Sequence, residues 1–519
     1  MRYFNVSGPC FKDIHYMIEA ATRLRGVEQL IDMDQYFVIH AARQSGKTTY
    51  LKDLANRLND GGMYYCAYCS LETLQGINDP ETGIPEIVFR IKVSLETYKL
   101  PEYEKFAINA DYNKFTIVLQ SELSKYCTML DKPLVILFDE ADCLSNGTLI
   151  TFLRQLRNGY IDRDRTKFVK SVALVGMRNI RDYKAQIRPD SETLGSSSPF
   201  TIVTETLTLP DFTKEEIIQL YAQHISEIGQ IFEPEAIDLV WEKTQGQPWL
   251  VNAIVREVIF DFLDLDYSKP VTAELCGQAI QNIILRRDVH IDSLLERLKE
   301  PRVRHVIDPV IAGEYVNTET DDFSYVKDLG LIRVTESKKI EPANPIYAEV
   351  IVRTLNSNMQ ESLARTNETV QMPRYLKNGK IDMDFLMRDF QQFWRENSAI
   401  WEERYQYKEA APHLILMAFL QRVINGGGQL IREMAADTGR LDLCVIYQNH
   451  KYPIELKILR GDRTFTRGLE QTADYMDVYG VKEGWLCIFD RNPEKSWDEK
   501  IYMKKEIIEG DRIITIVGL

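Results

Sequence analysis

The chain has 519 residues, 45% of them hydrophobic and 27% charged, and a net charge of −14. That length exceeds what one core supports, so about three or four domains are expected. The composition is that of a globular protein, and the acidic balance excludes a surface coated in nucleic acid, though not a local basic groove, because charge acts over short range at physiological salt.

No apolar run approaches the length of a membrane span, so no membrane partner is expected. The first residues, 1–9, lack the apolar core of a secretion signal, so a cytoplasmic location is expected. The eight cysteines are scattered. Cys66 and Cys69 have CxxC spacing, but no second pair follows, and positions three apart on a strand face opposite sides. They read as core cysteines.

Residues 1–35 form an apolar, turn-rich leader. Tyr16 is weighed as a platform for a nucleotide base against plain packing. Tyr36–His40 reads as a buried strand, 41–45 as a loop, and Gly46–Thr49 as the opening of a helix that continues through Leu51, Leu54 and Leu58. Strand, loop, Gly-Lys-Thr and helix is the layout of a phosphate-binding loop. Backbone N–H groups curl around a phosphate and the positive end of the helix adds to the attraction. Gln44, Ser45, Gly46, Lys47, Thr48 and Thr49 are the expected nucleotide contacts. Lys47 suits the β- and γ-phosphates, and the Thr48 hydroxyl suits Mg²⁺. The motif's usual first glycine is Ala41 here, which is acceptable only with negative φ.

A second motif, Pro133–Asp142, runs five apolar residues into acids. Asp139 is expected to hold Mg²⁺ through a water, and Glu140 to polarise the attacking water. An acid pair downstream of Gly-Lys-Thr points to ATP hydrolysis rather than binding alone. A strand at 62–71, helical patterns at 85–98, 113–130 and 146–158, and a strand at 170–179 complete the pattern. The last strand ends beside the γ-phosphate; Arg178 is nominated there, with Asn179 as runner-up. Arg154 and Arg157, on the 146–158 helix, are candidates for completing a neighbouring subunit's site, so a homo-oligomer is a candidate assembly. Alternating strands and helices imply a parallel sheet covered on both faces.

From Pro210 the pattern turns helical. Thr213 and Glu216 have capping-box spacing, and Gly246 and Pro248 suit a turn followed by a helix start. This is a small helical lid. Residues 281–357 suggest a winged helix, and Asp321, Asp322 and Asp328 deny it a basic face, which favours packing over DNA binding. Residues 358–380 are polar and punctuated, the clearest boundary.

Residues 401–519 carry a pattern of their own. A helix at 412–424 is followed by strands at 429–434, 439–447 and 452–459, a helix at 468–478 and a strand at 485–490. Glu455 and Lys457 are two apart, so they share a strand face. Buried charge needs a partner or a metal. Asp442, on the neighbouring strand, is placed to share Mg²⁺ with Glu455, leaving Lys457 to orient a water or stabilise a phosphate. A buried Lys–acid pair is the plainer alternative. Arg460, Arg463 and Arg467 form a local basic run.

Through Ala41–Thr49, Leu134–Asp142, Gly176–Asn179 and Gly246–Asn252, the first two thirds resemble an archaeal-ATPase-like P-loop ATPase of the STAND group, close to AAA+ ATPases. Through Asp442, Glu455, Lys457 and Gln471, the C-terminal part resembles the PD-(D/E)XK nuclease-like superfamily, with Glu409 matching an acid that its first helix often supplies. The resemblance implies an α/β fold: a P-loop parallel sheet with leader (1–210), a helical lid (211–280), a winged helix (281–357), a linker and helical region (358–400) and a small α/β nuclease-like domain (401–519). It implies an ATP- and Mg²⁺-dependent switch coupled to a module that cleaves nucleic acid, with mobile-element or phage-defence roles by analogy. The alternative is a regulatory ATPase whose C-terminal domain only binds protein or nucleic acid.

Overall fold

The computed structural model describes residues 2–19, 23–176, 203–286, 289–312, 316–351, 354, 372–404, 415–417, 419–420, 428–434, 441–459, 461, 463–490, 492 and 494–519. They form two compact units. The first comprises Met1–Asp292, Glu319–Leu331 and Ala343–Ile346; the second comprises Ser293–Thr318, Ile332–Pro342 and Tyr347–Leu519.

In the first unit, β1 (Tyr36–His40), β2 (Tyr65–Ser70), β3 (Leu134–Asp139), β4 (Ser171–Gly176) and β5 (Val203–Thr208) form a parallel sheet in the order β2-β3-β4-β1-β5. Parallel strands need crossover helices, and these cover both faces, so the strands are apolar throughout. Their side chains alternate between two cores. Phe37, Ile39, Val135, Leu137, Ala173 and Val175 pack with α1 (Val27–Asp32) and with Leu51, Leu54 and Leu58 of α2 (Lys47–Asp60). Tyr36, Val38, Ile136, Phe138, Val172 and Leu174 pack on the other side with α3 (Pro80–Thr97), α4 (Val118–Met129) and α5 (Asn146–Ile161). This is the α/β sheet of a P-loop fold, as the sequence leads one to expect. Cys66 and Cys69 are both buried, and burial pushes the Cys69 thiol up to about 11.

After β5, helices α6 (Lys214–Ile228), α7 (Pro234–Thr244), α8 (Pro248–Glu257) and α9 (Ala273–Arg286) pack together. The capping box at the start of α6 forms: Glu216 N donates to Thr213 Oγ1 (3.2 Å) and Thr213 N donates to Glu216 Oε2 (2.8 Å). Further on lie α10 (Val289–Arg297), α11 (Pro301–Ala312) and α12 (Asp321–Asp328), then an antiparallel pair β6 (Ile332–Val334) and β7 (Ile340–Pro342). The stretch 281–357 does not stay within one unit: α12 belongs to the first, α11 and the β6–β7 pair to the second.

The second unit's main sheet has the order β10-β11-β12-β13-β15-β14. Its strands are β10 (Gly428–Met434), β11 (Leu441–Tyr447), β12 (His450–Ile458), β13 (Glu483–Phe489), β14 (Met503–Ile508) and β15 (Arg512–Gly518). A smaller antiparallel pair, β8 (Leu376–Lys377) and β9 (Lys380–Ile381), precedes it. β12–β13 and β13–β15 are parallel and the other pairings antiparallel, so the sheet is mixed. Helix α13 (Met383–Arg404) lies on this sheet and is not a linker: Gln391 Nε2 donates to Tyr502 O (2.9 Å) and Gly518 O (2.8 Å), and Trp394 meets Phe489 edge-on at 5.3 Å. Helix α14 (Arg463–Tyr479) covers β12 and β13, burying Met476 against Leu486 and Ile488. Among the described residues no helix is long and apolar enough to cross a membrane.

Candidate nucleotide site and the C-terminal acid–lysine pair

The end of β1 and the start of α2 are joined by a tight loop. Gln44 (φ 56) and Gly46 (φ 91) take left-handed backbone there, which the glycine accepts without cost. Ala41 is not among the positive-φ residues, so its Cβ fits where the motif usually has glycine. Ser45 is buried and donates from Oγ to Ala42 O (2.7 Å), closing the loop on itself. Lys47 Nζ lies 3.1 Å from both Ala41 O and Ala42 O. Burial lowers the Lys47 pKa, while the carboxylates of Glu140, Asp139 and Asp142 pull it back up. A multiply charged phosphate is the natural partner of such a desolvated cation.

Asp139 ends β3 and is buried. Its Oδ2 accepts from Thr48 Oγ1 (2.7 Å) and Tyr68 Oη (3.0 Å), and its Oδ1 accepts from Glu140 N (3.0 Å). The Thr48 hydroxyl and the Asp139 carboxylate are hard oxygen donors side by side, which fits Mg²⁺. Glu140 follows in left-handed backbone (φ 54), which turns it out of the strand direction. Burial raises its pKa to about 7; Lys47 lowers it, while Asp142 and Asp139 add to the rise. A carboxyl poised there suits a general base.

Thr49 Oγ1 accepts from Cys10 N (3.0 Å), so this residue ties the leader to α2. Tyr16 takes the packing role. It is 1% exposed, tilted against Phe4 at 4.9 Å and edge-on to His224 of α6 at 5.4 Å, with no open face for a base. Arg154 is exposed and Arg157 half-buried on α5. Arg178, Asn179 and Glu409 lie outside the described residues. At the end of β4, a Cβ on Gly176 would meet Asp142 Oδ1 at 2.6 Å, so the missing side chain lets that carboxylate lie across the strand end.

Three further residues at this site escape the sequence reading. Tyr68 orients Asp139 from β2. Gln247 caps α8 by accepting from Leu250 N (2.7 Å) and approaches Arg43 O at 3.5 Å. Arg23 donates to Ser45 O from the leader. The only signals available were an alternating apolar strand for Tyr68 and a Gly-x-Pro turn for Gln247; Arg23 had none.

In the second unit, Lys457 Nζ pairs with Glu455 Oε1 on β12, and the Glu455 side chain is fully buried. Glu455 Oε2 and, on α14, Gln471 Oε1 are buried acceptors without a hydrogen-bond partner among the described residues. The β11–β12 ladder pairs Leu443 with Ile454, and Asp442 and Glu455 are the next residues along those two strands. The Asp442 side chain is outside the described residues, as is Arg460; Arg463 and Arg467 are exposed. Among the described residues no group of three or more His, Cys, Asp or Glu gathers as a metal cluster. Two buried acceptor oxygens without donors fit a cation with oxygen ligands.

No curated protein matches the chain. Among solved structures it is similar to a Walker-type ATPase of Pyrococcus abyssi, at 14% identity and TM-score 0.46, over 67% of this chain and 99% of that one. It is also similar to the Orc1 protein of Aeropyrum pernix in complex with DNA, at 12% identity and TM-score 0.35, over 67% of this chain and 94% of that one. A third is RuvB of Thermotoga maritima, at 13% identity and TM-score 0.33, over 61% of this chain and 87% of that one. The AAA-like domain profile matches residues 12–352. That is well over half of the sequence, and the chain belongs to the AAA-like domain family.

Proposed function

We propose that the protein is an ATP-hydrolysing switch of the STAND kind whose C-terminal domain is a Mg²⁺-dependent nuclease acting on nucleic acid. The observation that carries the ATPase part is the meeting of Thr48, Asp139 and Glu140 at the phosphate loop, with the Thr48 hydroxyl on Asp139 at 2.7 Å. Thr48 and Asp139 would hold Mg²⁺, which supplies charge neutralisation of the phosphates when bound. Lys47 leaves its loop carbonyls for the β- and γ-oxygens. Glu140 takes a proton from the attacking water at its carboxylate. Gln44 to Thr49 offer backbone N–H groups, and Arg178 is proposed for the γ-phosphate.

The nuclease part rests on the buried Glu455–Lys457 pair and the partnerless Oε2 of Glu455. Asp442 and Glu455 would hold Mg²⁺ there; Lys457 would face the phosphate charge that develops, and Gln471 would orient the site from α14. The second reading is a regulatory ATPase with a C-terminal binding domain. It is favoured by the same pair, because a lysine and a glutamate that neutralise each other need no catalytic role.

The deciding experiment incubates purified protein with plasmid and RNA, with and without ATP, in Mg²⁺ or Mn²⁺. Cleavage lost in Glu455→Gln supports the nuclease. Absence of cleavage under every condition leaves the binding domain.

A further inference from the structure

Arg23 lies in the leader, outside the phosphate-loop motif, yet its guanidinium reaches the loop. Nη1 donates to Ser45 O at 3.1 Å and Nη2 donates to Pro210 O at 2.5 Å. The guanidinium carbon sits 4.8 Å from the centre of the Phe212 ring. Asp211 and Glu216 supply negative charge nearby. The site is crowded as well: a Cβ on Gly46 would stand 3.1 Å from Nη1.

Across a planar trans peptide, C=O and N–H point in opposite directions. The Ser45 carbonyl and the Gly46 N–H belong to one such peptide. A donor that holds the carbonyl on the outer side of the loop therefore turns the N–H to the inner side. Gly46 stands at φ 91 and ψ 20 immediately before the first turn of α2, where the helix contributes its own N–H groups. On the other flank, Gln247 Nε2 approaches Arg43 O at 3.5 Å, the same geometry more weakly made. Ser45 and Pro210 are far apart in sequence, and serving both carbonyls takes two donors in a fixed fork, which arginine has and lysine lacks.

We propose that Arg23 is a positioning residue for nucleotide phosphate: by holding the Ser45 carbonyl outward it presents the Gly46 N–H to the phosphate chain before the ligand arrives. This rests on the ATP reading above. Arg23 itself touches no phosphate; it removes the reorganisation that the loop would otherwise undergo on binding.

The test measures ATP and ADP affinity of the full-length chain by competition against a fluorescent nucleotide, with the unfolding temperature of each variant recorded without nucleotide. Lys47→Ala serves as the control for the phosphate loop. Arg23→Ala is expected to weaken ATP and ADP alike by about tenfold or more, as for losing one hydrogen bond to a charged acceptor. Arg23→Lys, which keeps one donor, is expected between the two. Arg23→Ala that binds both nucleotides as the wild type does, at whatever unfolding temperature, overturns the inference. If Arg23→Ala does not fold, wild-type affinity in Arg23→Lys overturns it instead. Loss of binding in Lys47→Ala alone, with both Arg23 variants intact, rejects Arg23 and leaves the ATP reading standing. Failure of the wild type to bind any nucleotide rejects both.

Discussion

Thr48 Oγ1 donates to Asp139 Oδ2 across 2.7 Å, and the same oxygen accepts from Tyr68 Oη at 3.0 Å. One carboxylate oxygen is thus held between the phosphate loop and the neighbouring strand. Thr48 is the partner that exchanges for Mg²⁺; Tyr68 is free to stay. Removing such an outer partner typically costs about 10–100-fold in metal affinity or activity. Tyr68→Phe is therefore expected to raise the Mg²⁺ concentration needed for half-maximal ATP hydrolysis by about tenfold, with activity recovered at high Mg²⁺. A Mg²⁺ titration of turnover checks this, and an unchanged midpoint would remove Tyr68 from the site.

Glu140 gives a second prediction with a definite sign. Its pKa rises from 4.5 to about 7, chiefly through burial. Below pH 4.5 the carboxyl is protonated in folded and unfolded chains alike. Between that value and about 7 the folded chain holds the proton and the unfolded chain has lost it, so stability falls as pH rises through this window. Catalysis runs the other way, because only the carboxylate accepts a proton. kcat/KM should rise with pH up to about 7, and Glu140→Gln should flatten both profiles. The same variant should keep ATP binding and slow turnover by about 10²–10⁴-fold. Lys47→Ala should instead weaken ATP binding by about 10–100-fold, as for losing a charged hydrogen bond.

A third prediction concerns the downstream helix α12. Asp328 Oδ1 lies 3.2 Å from His40 Nε2, which is also 2.9 Å from Thr208 Oγ1. His40 ends β1, one residue before the phosphate loop, and both side chains are about nine-tenths buried. Removing one partner leaves a buried polar group without its mate, at a cost of about 1–3 kcal/mol. Urea unfolding of His40→Ala, Asp328→Ala and the double variant should give a coupling of that sign. Simple additivity would mean that the two groups are neighbours without interaction.

The phosphate loop and the acids at the end of β3 were legible because their chemistry is written in consecutive residues. The parallel sheet was legible because its strands are apolar at every position, as Leu134–Asp139 is. What escaped depends on distant partners. Arg23, Tyr68 and Gln247 reach the loop from the leader, β2 and the lid, and nothing in their local sequence marks the contact. Residues 383–404 were read into a linker region, although Leu386, Phe390, Phe393 and Trp394 recur at helical spacing and all are buried. The polar stretch before them drew the boundary too far along. β14 was missed for a different reason: its Lys504, Lys505 and Glu506 give an edge strand a charged face that hides the alternation.

The last prediction separates the two readings of the C-terminal domain. Glu455 and Lys457 stand on one face of β12 and pair there, with the Glu455 side chain buried and its Oε2 lacking a hydrogen-bond partner among the described residues. Truncating either partner leaves an uncompensated buried charge, worth about 3–5 kcal/mol, so alanine would confound stability with function. Glu455→Gln keeps the shape and still accepts from Lys457, but it loses the charge that a divalent cation requires. If Glu455 holds Mg²⁺ with Asp442, the wild type should gain thermal stability on adding Mg²⁺ or Mn²⁺ and Glu455→Gln should not, in the absence of any nucleic acid. Cleavage should vanish in the same variant while ATP hydrolysis, in the other compact unit, stays near the wild-type rate. Salt supplies a further mark. If Arg463 and Arg467 contact phosphates, binding should weaken with a log–log slope of about −0.7 to −0.9 per phosphate neutralised, and Arg463→Ala should shrink that slope. Metal stabilisation and cleavage that both persist in Glu455→Gln would reduce the pair to a buried ion pair holding β12 in place, and the C-terminal domain would then be a binding module.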